Sequence, residues 1–180
     1  MIRPIARIQS GRLFSLQGVR LVGMDRDELQ ENFKIRFDHD GKLVYALPQD
    51  IVDNTVKAFS VSATSASGYG DEGPPSGRYI APGFGPNCVS AVDNINECTP
   101  EQFTFTSPKL VRFDLSAVKR TTIKGRVNAE FRAEFLNAFN NPWFTPVLLP
   151  AAADRNNPDD YRVTSATGAR TMQLVFRINY

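Results

Sequence analysis

The chain has 180 residues, enough for one ordinary domain, and its 21 Lys and Arg against 19 Asp and Glu leave a formal charge of +2. That near-neutral balance, without a basic stripe interleaved with aromatics, argues against a nucleic-acid partner. No apolar run reaches the ~18 residues of a membrane-crossing helix, but strands of a membrane barrel need only ~9–11 residues with every second one apolar, so a barrel escapes this test.

The first residues, Met1 to Arg7, hold no apolar stretch of the ~7–15 residues that a signal peptide requires and no small-residue cleavage site. The reading is a sequence that begins in mid-protein. Residues 1–108 are read as the end of an upstream strand followed by a long extracellular loop region. Within it, Asp25 is a helix N-cap, Glu28 completes a capping box, and Met24 staples onto Leu29. Phe33–Phe37 and Lys42–Tyr45 flank Asp38-His39-Asp40-Gly41, whose Asp-Gly pair signals a small hairpin. Pro48 opens a second short helix with Ile51, Val52, Thr55, Val56 and Phe59 at helical spacing. From Ser65 to about Pro100, Gly, Pro, Ser and Asn dominate, as in a long loop.

Residues 109–180 read differently. Three stretches alternate with period two: Val111–Ala117, Val127–Phe135 and Met172–Tyr180. Successive strand side chains point to opposite faces, so these are half-buried strands, expected at about 110–119, 126–139 and 171–180. The first two are joined by the basic, Gly-closed run Lys119–Arg126, as in a hairpin. Keeping the apolar faces together requires paired numbers with an even sum. A sum of 246 sets Arg112 opposite Glu134 and Asp114 opposite Arg132, avoiding like-charge pairs, and is the predicted register.

The polar faces carry full charges, which suits a wet barrel lumen; the apolar faces are rich in Phe and end in Tyr180. Alternation alone leaves two architectures open, a membrane barrel and a secreted or periplasmic β-sandwich binding module; a structural surface protein is a third class. Exposure of Phe113, Phe131 and Phe176 would favour the barrel, and mutual burial the sandwich. Long loops alternate with a short turn, since Asn140 to about Ala169 also forms a long connection, and outer-membrane barrels show that asymmetry. The expected fold is therefore mainly β: C-terminal strands of an incomplete transmembrane antiparallel barrel, with long extracellular loops holding short helices and a small hairpin.

Several constellations have plainer readings. Cys88 and Cys98, the only cysteines, lie in one polar loop and in an exported protein form a disulfide; with a single His in the chain, a zinc site is short of ligands. Gly68–Gly73 matches G-x-G-x-x-G, but Pro74-Pro75 follows where a helix should start. His39 is a solvated turn residue, and Asp154–Asp160 a surface loop without EF-hand spacing. Glu130, Arg132 and Glu134 form a lumenal charge ladder rather than a catalytic set, and no Ser sits in a nucleophile elbow, so no enzyme and no cofactor is expected. Trp143 and Phe144 follow the second strand where it leaves the bilayer, as interfacial aromatics do.

Arg112–Ser116 and Arg126–Phe144 together resemble the C-terminal strands of TonB-dependent receptors, in particular the Oar-like group with a carboxypeptidase-regulatory-like N-terminal domain. The segments Leu47–Ile51, Gly77–Pro82 and Thr164–Arg170 are similar to loop regions of that group. The last strand resembles the signal read by the barrel assembly machinery: terminal Tyr180, apolar Ile178, Phe176 and Leu174, and polar Gln173, with Val175 where Gly is common. The resemblance implies energy-coupled uptake through the outer membrane, with the TonB complex reached through a plug and TonB box outside this sequence. The ligand, whether siderophore, glycan, peptide or cobalamin, stays open.

Overall fold

The computed structural model describes residues 1–86, 88, 98 and 101–180. Its elements are β1 (Ile2–Gln9), β2 (Leu13–Val22), α1 (Arg26–Asn32), β3 (Arg36–Phe37), β4 (Val44–Tyr45), α2 (Gln49–Phe59), β5 (Tyr79–Pro82), β6 (Glu101–Thr106), β7 (Leu110–Lys124), β8 (Val127–Leu136), β9 (Trp143–Phe144), a 3₁₀ turn (Pro158–Tyr161), β10 (Ala166–Thr167) and β11 (Thr171–Asn179). They fall into two compact units. One comprises Met1–Ser10, Lys109–Phe144 and Ser165–Tyr180; the other comprises Gly11–Pro108 and Thr145–Thr164.

The first unit is a four-stranded antiparallel sheet in the order β1-β7-β8-β11. Residue pairing assigns its two faces. Ile2, Pro4, Ala6 and Ile8 share a face with Phe113, Leu115 and Ala117, with Ala129, Phe131, Ala133 and Phe135, and with Met172, Leu174, Phe176 and Ile178. Arg3, Arg7, Arg112, Asp114, Ser116, Arg120, Glu130, Arg132, Glu134, Gln173 and Arg177 occupy the other. Ile5, paired with Asp114, and Val118 and Val175, both paired with Arg132, are apolar residues on the polar face. The apolar face is uncovered: Ile2, Leu174 and Phe176 are 75%, 57% and 65% exposed. No helix is long and apolar enough to cross a membrane among the described residues.

The end of an upstream strand expected within residues 1–108 is β1, which pairs with β7 along eight residues. The predicted register is corrected. β7 and β8 pair with a sum of 250, so Ser116 faces Glu134 and Val118 faces Arg132. The cause is the length of β7, which continues through Lys119–Lys124 and turns only at Gly125, whose φ of 59° suits a residue without Cβ. Relative to the predicted pairing, β8 slides along β7 by four residues, about 13 Å at ~3.3 Å per residue.

The second unit has a core of its own, built around the short helices and hairpin that the sequence reading placed in a long loop region. A sheet in the order β5-β2-β6 packs with α1 and α2 around Leu16, Val19, Leu29, Ile51, Val52, Ile80 and Phe105. Leu148 and Tyr161 from the later segment enter the same cluster. The N-cap of α1 is Asp25, which accepts from the Glu28 N–H at 2.7 Å, and Met24 packs on the core as a staple should. The Asp-Gly hairpin forms as β3 and β4, shorter than expected, with Asp38 accepting from the Lys42 and Leu43 N–H groups. Of the five residues chosen by helical spacing in α2, Ile51, Val52, Thr55 and Val56 are buried and Phe59 is partly buried, and Thr55 accepts from the Ile80 N–H.

Candidate functional site

The candidate site is the polar face of the four-stranded sheet. Its charges form a ladder, although not between the predicted partners. Arg112 donates to Asp114 on its own strand at 2.9 Å instead of facing Glu134. Arg132 bridges Glu130 at 3.2 Å and Glu134 at 3.7 Å along β8 instead of facing Asp114. Glu130 is the centre. It faces Arg120 on β7 and Arg177 on β11, and it takes a 2.6 Å bond from Arg120. Its side chain is only 11% exposed, so the carboxylate is held by surrounding guanidinium groups, as a buried charge must be. A concavity of about 390 Å³ opens here between Arg3, Ser116, Arg120, Arg132 and Glu134.

A second pocket, of about 230 Å³, lies at the other end of the same face, lined by Arg7, Arg112, Asn137, Asn141, Trp143 and Thr167 among others. Asn137 builds its floor. It is buried, adopts the left-handed conformation (φ 51°) that Asn tolerates, and gathers three segments. Its backbone N–H donates to Asp114 at 2.8 Å, its side-chain amide donates to the Gly168 carbonyl, and its side-chain oxygen accepts from the Asn141 N–H at 3.0 Å. Sequence reasoning assigned Asn137 no role; an Asn just past the end of a strand was the available signal.

Trp143 lines this pocket and Phe144 pairs with Ala166 in the short β9-β10 ladder, both half-buried. Phe139, 70% exposed, sets its ring edge-on to Phe113 at 5.4 Å. In the last strand, Leu174, Phe176 and Ile178 stand exposed on the apolar face and Gln173 faces Glu134. Tyr180, just beyond β11, is fully exposed.

In the second unit, Cys88 and Cys98 are joined by a disulfide. The residues between them lie outside the described ones. Gly68 to Gly73 contain Tyr69 of the isolated Val61–Tyr69 bridge and lead into irregular chain, which is not the setting of a dinucleotide loop. His39 is exposed in its turn. In the Asp154–Asp160 loop, Asp159 pairs with Arg162 and Asp160 accepts from the Asn157 amide, so these carboxylates are engaged within the loop.

A sheet with one charged, concave face and one exposed apolar face is what a barrel wall between water and lipid requires, and a sandwich would have buried Phe131 and Phe176. The model of the family described as outer membrane beta barrel domain matches residues 4–173. No curated protein and no solved structure matches the chain. The protein is one of the bacterial outer membrane, and the chain belongs to the outer membrane beta barrel domain family.

Proposed function

We propose that this barrel wall belongs to a TonB-dependent receptor that takes up a solute across the outer membrane. The observation that carries the reading is the ladder of full charges on the polar face, from Arg7 and Arg112 to Glu130 and Arg177, which suits a wide wet lumen better than one packed with side chains. The resemblance of Phe113 to Phe144 to the closing strands of that receptor group supports it. In this reading the TonB complex is the energy-supplying partner, outer-membrane lipid covers the apolar face, and the second unit faces the ligand.

The test compares a strain lacking this gene with one lacking TonB, scoring accumulation of labelled siderophore, cobalamin, glycan and peptide. At least one solute is expected to be lost equally from both strains and on adding a protonophore. Uptake that needs this gene but survives loss of TonB would identify a passive channel and sink the energy-coupled reading.

Gln173, Leu174, Phe176, Ile178 and Tyr180 are assigned to recognition by the barrel assembly machinery, because the apolar members alternate along β11 and stand exposed. Deleting Tyr180 is expected to lower the heat-modifiable, folded form in outer-membrane fractions severalfold. An unchanged folded fraction would remove that role.

A further inference from the structure

The pocket around Trp143 is built from parts with a shared chemical preference. Arg7 and Arg112 are direct cross-strand partners on the polar face, and both line the pocket. Like charges directly opposite are normally destabilising. Asp114 neutralises one of them through its 2.9 Å bond to Arg112, which leaves one net positive charge at the pocket mouth. Guanidinium forks match planar oxyanions and bind them bidentately. The floor is fixed: Asn137 and Asn141 spend their amides on the Gly168 and Val111 carbonyls, so they hold the pocket's shape. Trp143 adds a flat aromatic wall, suited to a ring. At about 230 Å³ the pocket is smaller than the 300–1,000 Å³ typical for whole small molecules, and it suits one ring-sized group of a larger solute.

We propose that this pocket binds a carboxylate carried on a ring-sized group of an acidic solute, with Arg7 and Arg112 on the carboxylate and the ring against Trp143. The proposal rests on the polar face being the lumen of an uptake receptor, and names a chemical class for what enters it.

Trp143 is the only tryptophan of these 180 residues, so the difference in emission between the full receptor and its Trp143→Phe variant reports on this pocket. The experiment titrates the protein, reconstituted in lipid vesicles, with galacturonate, neutral galactose and inorganic phosphate, reading Trp143 fluorescence and, in parallel, binding heat. Galacturonate is expected to give a saturable change that galactose does not. Arg7→Gln is expected to weaken it about tenfold or more, the scale of a lost charge-assisted bond. Asp114→Asn still accepts from the Asn137 N–H but frees the second guanidinium, so it is expected to tighten galacturonate severalfold; a purely structural role for Asp114 could only weaken it. The proposal is overturned by the absence of a saturable response to galacturonate, by an equal response to galactose, by a preference for phosphate, or by unchanged binding in Arg7→Gln with native circular dichroism. These readouts need no transport, so they fail or succeed separately from the TonB dependence of uptake.

Discussion

Leu29, Ile51 and Ile80 in the helix-containing unit are wholly buried, whereas Ile2, Ile8 and Phe176 in the four-stranded sheet stand 75%, 70% and 65% exposed. The same residue types thus serve two solvents. In the helix-containing unit, apolar side chains leave water by packing on one another. In the sheet they face outward, where only hydrocarbon makes their exposure favourable. The polar residues invert in parallel. Asp25 and Asp50 sit on the outside of the helical unit, while Glu130 is nearly buried within a guanidinium cluster on the sheet.

The contrast can be broken most forcefully in the core. Phe105, 1% exposed, packs among Leu16, Leu29 and Ile51. Phe105→Ala is expected to cost the helical unit about 3–5 kcal/mol, the usual range for removing a buried aromatic ring. Urea unfolding followed by near-ultraviolet circular dichroism, with the protein held in vesicles, measures it. A loss under about 1 kcal/mol would mean that this unit is not held by its own core.

The sheet offers an internal control, because neighbouring residues point to opposite solvents. Leu115 lies on the apolar face of β7 and Ser116 on the polar face. Leu115→Arg is expected to destabilise the sheet by about 2–4 kcal/mol in vesicles, as a charge near the bilayer centre does, and Ser116→Arg by well under 1 kcal/mol. Equal costs at the two positions would contradict the assignment of faces. Both variants are read by the denaturant midpoint of the heat-modifiable form.

Sequence could predict the contrast only where periodicity ran unbroken. β8 alternates from Val127 to Phe135, and β11 departs from alternation only at Val175, so both were legible. In β2 the buried set changes parity, Phe14 and Leu16 being even and Val19 and Leu21 odd, because a bulge at Gly18 (φ 70°) inserts one residue and returns both halves to the same core. That hid a ten-residue strand. In β1, Ile5 breaks the alternation by pointing into the polar face, and in β7 Lys119 and Thr121 occupy apolar-face positions beyond the band, so the strand was cut short and the register slid by four. Caps need only three or four neighbouring residues, and Asp25 was accordingly legible. The Trp143 pocket joins residues 7, 112, 137, 143 and 167, and no local pattern announces such a meeting; it depends on the register that sequence misjudged.

The smallest expected effect tests how far surface charge contributes to the helical unit. Arg78 donates to Asp50 on α2 at 2.7 Å and to Glu28 on α1 at 2.8 Å, tying β5's approach to both helices. The bond from Arg78 holds the Asp50 carboxyl below its ordinary value, and the two carboxylates raise the guanidinium further. A depressed carboxylate contributes stability above its unfolded value, near 3.9, and loses it as pH falls through the lower folded value. Asp50 is half exposed, so screening keeps the contribution under about 1 kcal/mol. Arg78→Met is therefore expected to lower unfolding free energy by less than about 1 kcal/mol at pH 7, and the gap from the parent should close as pH drops through the acid range. It should also shrink in about 1 M salt, where the Debye length is only ~3 Å. A gap that persists at pH 2 and in high salt would show that Arg78 acts by packing its aliphatic stem, and the charge contrast between the two units would then rest on the sheet alone.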